Sequence, residues 1–151
     1  MNPADPRIFD VLNTSYGRLL GCEPLAGSRD SDWLYHEAPF PVLAHNTAPD
    51  PVFIYANRAA QSLFGYEWEE FIGLPSRLSA APVHRAERAR LFEEVGRKGF
   101  SSAYSGTRVT KSGKPFRIEQ AVIWQLRDAH GHVHGEAARI GSWRDIVPDG
   151  K

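Results

Sequence analysis

Residues 115–143, PFRIEQAVIWQLRDAHGHVHGEAARIGSW, hold two runs rich in branched and aromatic side chains, divided by a turn-like RDAHG. Such composition folds the segment back on itself as two antiparallel strands, residues 115–126 and 132–143. Successive side chains of an extended chain point to opposite faces. Phe116, Ile118, Val122, Trp124 and Leu126 then share one face, with Gln120 as its polar member. The other face carries Arg117, Glu119, Gln125 and Arg127, diluted by Ala121 and Ile123. Just upstream, YSGTRVT (104–110) reads as a third strand, joined to the first through KSGK (111–114), where Ser-Gly suits a two-residue hairpin turn.

The same alternation places His132, His134 and Glu136 on one side of the last strand, and two imidazoles with a carboxylate are the ingredients of a facial metal site. Alternate positions on one strand lie about 6–7 Å apart, too far to hold one ion without a further group. A polar hairpin is the simpler reading of the run; a metal-binding protein using His132, His134 and Glu136 is the alternative.

Further out, PVLAHNT (41–47) and VFIYAN (52–57) are short strand-like runs separated by APDP. Asn57 is placed to cap a helix over RAAQSLF, which Gly65 ends. WEEFIG (68–73) is a smaller helical piece, and VHRAERARLFEEVGRKG (83–99) a longer helix with a thin apolar face at Leu91, Phe92 and Val95. At the start of the chain Asp5 is an N-cap with Pro6 in the first turn and Gly21 at the far end. Ile8, Phe9, Leu12, Tyr16, Leu19 and Leu20 recur between them at helical spacing. A short helix follows at DWLYHE (32–37), stopped by Pro39 and Pro41. The order predicts an α+β fold: a five-stranded antiparallel sheet with helices on one face and an N-terminal helical extension. The extension's apolar stripe docks on the chain's own sheet or on a second copy.

The 151 residues suit one domain with a real core, at 42% hydrophobic and 24% charged. Lys plus Arg equals Asp plus Glu at 18 each, which leaves no general basic field to draw nucleic acid or an anionic membrane. Cys22 is the single cysteine, so no internal disulfide forms, in keeping with a reducing cytosol. No apolar run reaches the roughly 18 residues of a membrane span, and MNPADPRIFDVL lacks the pattern of a secretory signal. The expectation is a cytoplasmic domain without membrane or direct nucleic-acid partners. Ser105 precedes a glycine but lies outside a G-x-S-x-G elbow, and no glycine-rich phosphate loop is present.

VFIYANRAAQSLFGYEWEEFIGLP (52–75), VTKSGKPFRIE (109–119) and LRDAHGHVHGEAARIGSWRDI (126–146) resemble, in order, the successive parts of a PAS domain. A narrower resemblance adds SYGRLLG (15–21), DWLY (32–35) and ERARLFEEVGRKGF (87–100), and is to the MEKHLA domain, a PAS-like module, here of the bacterial stand-alone type. WQL (124–126) and GEAA (135–138) stand where that family carries WNL and GQAA, so Glu136 puts a carboxylate in place of a neutral amide. The resemblance implies residues 1–40 as a helical extension for capping or dimerisation, 41–147 as the PAS-like core, and 148–151 as a tail. It implies a sensory or protein-interaction module rather than an enzyme: a homodimer that holds a small ligand or cofactor between sheet and helices and signals through a partner protein.

Which cofactor, if any, the residues leave open. Flavin photoreceptors of the PAS class need a cysteine in a short helical motif, and the matching GLPSRLSAAP (73–82) has none. Haem-binding members use a histidine on the longer helix, where His84 stands among solvent-type neighbours. His45 and Asn46 either line a cavity rim or satisfy turn backbone. A ligand site needs a few convergent polar groups among apolar walls. Gln120 and Arg108 are the candidate polar contacts, Arg108 suiting an anion, with Tyr104, Phe64, Phe116 and Trp124 as walls. An alternative from another class is a small ketosteroid-isomerase-like α+β enzyme, which wants an Asp or Glu inside its cavity, whereas Glu119 falls on the polar face of its strand.

Overall fold

In the computed structural model, which describes residues 5–80 and 85–146, the N-terminal signals act as the sequence reads. Asp5 accepts a hydrogen bond from the Arg7 N–H at 2.9 Å, Pro6 opens helix α1 (Pro6–Leu20), and Gly21 closes it in the left-handed conformation. A π-helical turn, Trp33–Glu37, follows. Strands β1 (Val42–His45) and β2 (Phe53–Ala56) lead into α2 (Arg58–Phe64), α3 (Trp68–Phe71), a 3-10 turn (Ser76–Ser79) and α4 (Arg85–Lys98). The chain then runs through β3 (Phe100–Val109), β4 (Pro115–Arg127), β5 (Val133–Arg139) and β6 (Ser142–Asp145).

The sheet is antiparallel, in the order β2-β1-β5-β4-β3, with β6 continuing beside β4. Its sixth strand arises because the expected strand over 132–143 breaks between β5 and β6. A side chain at Gly141 would stand 2.6 Å from the Gln120 carbonyl oxygen, so the two backbones meet there without room for one. Among the described residues, no helix is long and apolar enough to cross a membrane.

Gln120 corrects the expected faces of β4. It has φ +54°, and the β3–β4 register slips between the pairs Tyr104–Ala121 and Gly106–Ile118. This bulge inserts one residue and inverts the alternation beyond it. Phe116 and Ile118 therefore share a core with Ala121 and Ile123, under α2, α3 and α4. Val122, Trp124 and Leu126 face the other way, into a second core with α1 and the π-helical turn. The sheet is thus covered on both sides.

The α1 stripe packs into that second core. Leu12 is fully buried, Tyr16 meets the Trp124 ring edge-on at 5.0 Å, and the Trp124 indole N–H donates to Ser15 Oγ at 3.1 Å. Burying Leu12 contributes about 2 kcal/mol. The stripe packs on the chain's own sheet, so replacing Leu12 perturbs the fold of the single chain.

Asn57 joins the extension to the core. Its side-chain oxygen accepts from the N–H groups of Val42 and Ala60, at 2.9 and 3.0 Å, and its amide donates to the carbonyls of Leu34 and Phe40, at 3.1 and 3.0 Å. One fully buried side chain caps α2, starts β1 and fixes the segment ahead of it.

Candidate functional site

Between the sheet and the helical layer of α2 to α4 lies a cavity of about 50 Å³. Its walls are mostly apolar, from Leu43, Phe53, Leu91, Ile123 and Ala138. Three ionisable side chains join them: Arg108 from β3, His45 from β1 and Glu136 from β5. The strand order sets their arrangement. His45 and Glu136 are direct cross-strand partners, with Nε2 and Oε1 3.9 Å apart, whereas Arg108 reaches the same space from the far edge strand. Ile123 of β4 lies between, so the cavity has a cationic end and a carboxylate–imidazole end.

Arg108 is 7% exposed. It donates to its neighbour's carbonyl, Thr107 O, at 2.9 Å and to the Tyr104 hydroxyl at 3.3 Å, and it lies over the Tyr104 ring at 5.6 Å. All these acceptors are neutral. Among the described residues no carboxylate comes within ion-pair distance of its guanidinium. A guanidinium carries five N–H donors, so these two bonds leave donors for a further acceptor.

Glu136 owes its inward direction to Gly135. The β4–β5 register slips between Gln125–Glu136 and Arg127–Val133, so β5 carries an extra residue. Gly135 has φ +153°, and a Cβ there would sit 1.9 Å from the His45 carbonyl oxygen. The bulge sends Glu136 into the cavity, while His134 lines the groove beside α1. His132, His134 and Glu136 therefore do not share a face, which corrects the arrangement on which the metal reading rested. The two histidines gather instead around Asp128, His134 at 2.8 Å and His132 at 3.6 Å. The His134 hydrogen bond, with backbone N–H groups of His132 and His130, holds the Asp128 carboxyl well below the usual carboxylate range.

A family profile described as the MEKHLA domain matches residues 7–145. The chain belongs to that family. Solved structures resembling this MEKHLA domain include the PAS domain of a protein from Colwellia psychrerythraea, 18% identical, with a TM-score of 0.63 over 74% of this chain and 90% of that one. A light-oxygen-voltage domain whose mechanism was probed with a flavin analogue is 20% identical, with a TM-score of 0.56 over 73% and 79% of the two chains. An RNA-binding light-oxygen-voltage receptor is 22% identical, with a TM-score of 0.60; the match covers 74% of this chain but only 31% of the receptor. No curated relative matches the MEKHLA chain. The fold is that of the PAS and light-oxygen-voltage sensory domains.

Of the six sequence-derived pocket residues in this MEKHLA domain, Arg108 lines the cavity and Tyr104 holds it. Phe64 and Phe116 pack against each other at 5.2 Å within the helix-side core. Gln120 is exposed on its bulge and Trp124 belongs to the α1 side, both because β4 changes phase. His45 does line the cavity, while Asn46 serves the turn, accepting from the N–H groups of Ala48 and Val52 at 3.2 and 3.1 Å. Glu119 is turned toward Arg144 at 3.5 Å, and Glu136 is the carboxylate that the cavity contains. His84 and the tail 148–151 lie outside the described residues.

A flavin does not fit this site. A drug-sized ligand occupies roughly 300–1,000 Å³, and the MEKHLA cavity of about 50 Å³ is far smaller. Cys22, the chain's single cysteine, is exposed in the loop after α1.

Proposed function

We propose that this MEKHLA domain is a sensory and interaction module that holds a small ligand between its sheet and helices and passes occupancy to a partner protein. The supporting observation is Arg108, a buried cation that lines a mostly apolar cavity and is held by neutral acceptors, with Glu136 and His45 lining the same cavity from β5 and β1. Burial of a charge is costly without a counter-charge, and a ligand supplies one. Occupancy bears directly on β1, β3, β4 and β5, so a change at the cavity reaches the sheet that α1 covers on its opposite face. The partner is a second copy of the chain or another signalling protein.

Native mass spectrometry of the purified protein, compared with an Ala138→Leu variant whose added side chain fills the cavity, tests this. A bound small molecule in the wild type that is lost from the variant is expected. The same molecule retained in the filled variant overturns the cavity as its site.

Glu136 beside His45 also supports a second reading, in which the cavity performs proton transfer as a small enzyme does. Turnover of the bound molecule that Glu136→Gln abolishes while binding persists would select that reading over sensing.

A further inference from the structure

At the corner where the π-helical turn meets α2 and α3, we infer a second binding site, which takes a primary carboxamide: the amide carbonyl accepts from the Tyr35 hydroxyl and the amide N–H donates to Gln61 Oε1. The groove there measures about 400 Å³ and, among the described residues, shares no lining residue with the sheet–helix cavity, so the two sites stand or fall separately. Its volume lies within the roughly 300–1,000 Å³ of small-ligand sites. Local sequence builds it. Arg58 and Gln61 are three residues apart on α2 and therefore neighbours on one helix face. Gly65 ends α2 in the left-handed conformation, α3 follows, and its Trp68 meets the Tyr35 ring edge-on at 5.7 Å.

Three side chains lining this groove are buried, Tyr35 at 6%, Gln61 at 8% and Trp68 at 9% exposure, yet each keeps hydrogen-bonding capacity unused. Gln61 commits its amide nitrogen inside the chain, Nε2 donating to Ala56 O and to the Tyr35 hydroxyl, each at 2.9 Å. The Ala56 carbonyl can only accept, which fixes the orientation of the amide and leaves Oε1 as a separate acceptor. The Tyr35 hydroxyl accepts from Gln61, so its own hydrogen is left to donate. Among the described residues, that hydrogen, Gln61 Oε1 and the Trp68 indole N–H have no partner in the chain. Buried polar side chains nearly always find one. A donor beside an acceptor matches one edge of a primary carboxamide, which carries C=O and N–H on the same side. A trans peptide group carries them on opposite sides. A carboxylate brings no donor for Oε1, and an ammonium no acceptor for the Tyr35 hydrogen. The bond between Gln61 and Tyr35 holds both groups in place beforehand, which lowers the ordering cost of binding. Arg58 and Glu69, both exposed, line the same groove with opposite charges.

Nitrogen–proton correlation NMR of the labelled protein reads the site directly, because the Gln61 side-chain amide and the Trp68 indole N–H, assigned by their loss in Gln61→Leu and Trp68→Phe, are both reporters. Propionamide and N-methylacetamide are isomers that differ in which amide edge they present. Propionamide is expected to shift both reporters saturably. N-methylacetamide and propionate should bind at least about tenfold more weakly, through loss of one of the paired hydrogen bonds. Tyr35→Phe, with its fold established by a thermal melt, should abolish the preference for propionamide over N-methylacetamide; the ligand series in the wild type stands without it. Equal shifts from the two isomers, or unmoved reporters at saturating propionamide, overturn the assignment. Free glutamine and N-acetylglutamine N-methylamide then separate the source of the carboxamide. Tighter binding of the free amino acid, whose charges Arg58 and Glu69 complement, supports a small-molecule ligand; tighter binding of the capped form supports a side chain of a partner protein. Neither form binding more tightly than propionamide would overturn any role for the groove beyond the amide edge itself.

Discussion

Replacing Gly135 by alanine tests the feature that builds the cavity. The added Cβ would lie 1.9 Å from the His45 carbonyl oxygen, and real Cβ contacts essentially never fall under 3.0 Å, so β1 and β5 must part by about 1 Å. The obstructing atom is backbone and cannot swing aside. Holding a non-glycine residue at φ +153° adds about 1–3 kcal/mol of strain. Loosening the β1–β5 ladder at His45–Glu136 weakens one or two hydrogen bonds, each of net worth about 1 kcal/mol. Together Gly135→Ala should cost about 2–5 kcal/mol, read in urea unfolding as a lower midpoint or as a melting point about 10 °C lower. Gly131→Ala is the control. Gly131 also has positive φ, at +82°, but nothing lies within 4 Å of its added Cβ, so only about 1 kcal/mol is expected. Equal costs for the two variants would refute the close approach of β1 and β5, and with it the inward turn of Glu136.

Other substitutions address the rest of the frame. Asn57→Ala leaves two buried N–H groups and two carbonyls without their partner, and should cost about 3 kcal/mol or more by denaturant unfolding. A loss under about 1 kcal/mol would mean that the extension is not tied to the core through this residue. Leu12→Ala should destabilise by about 2–5 kcal/mol even at concentrations where light scattering shows a single chain; destabilisation confined to an associated form would contradict packing on the chain's own sheet. Asp128→Asn acts through pH. A carboxyl whose folded pKa is depressed stabilises above its unfolded pKa, and that contribution fades as pH falls through the carboxylate range. The variant should therefore melt below the wild type at neutral pH and converge with it in acid; a constant difference across that range would contradict the link.

Much of this frame is legible in the chain. Asp5, Pro6, Gly21, Asn57 and Gly65 mark helix ends by local chemistry, and the structure uses each as read. The two bulges are where strict alternation fails, because a single inserted residue inverts every later side chain. Gly135 carries a visible signal, a glycine inside a strand pattern. Gln120 carries a subtler one: Glu119 and Gln120 are consecutive polar residues, and the apolar phase on this side moves from Phe116 and Ile118 to Ala121 and Ile123. Reading through that slip placed Trp124 and Gln120 in the pocket, although one faces α1 and the other solvent. Arg108 was legible because a lone arginine in a strand of otherwise uncharged residues needs a reason to be there. The pairing of His45 with Glu136 was not, since it depends on the register of strands some ninety residues apart in sequence.

Isotope-edited NMR of the arginine side chains, in protein as purified and after unfolding and refolding to strip bound small molecules, tests the central claim most directly. The account predicts a shift of the Arg108 Nε–H resonance between the two samples, identified by its loss in Arg108→Gln, together with shifts of the Leu43 and Ile123 methyl groups. Identical Arg108 and cavity-methyl resonances in the two samples would contradict it.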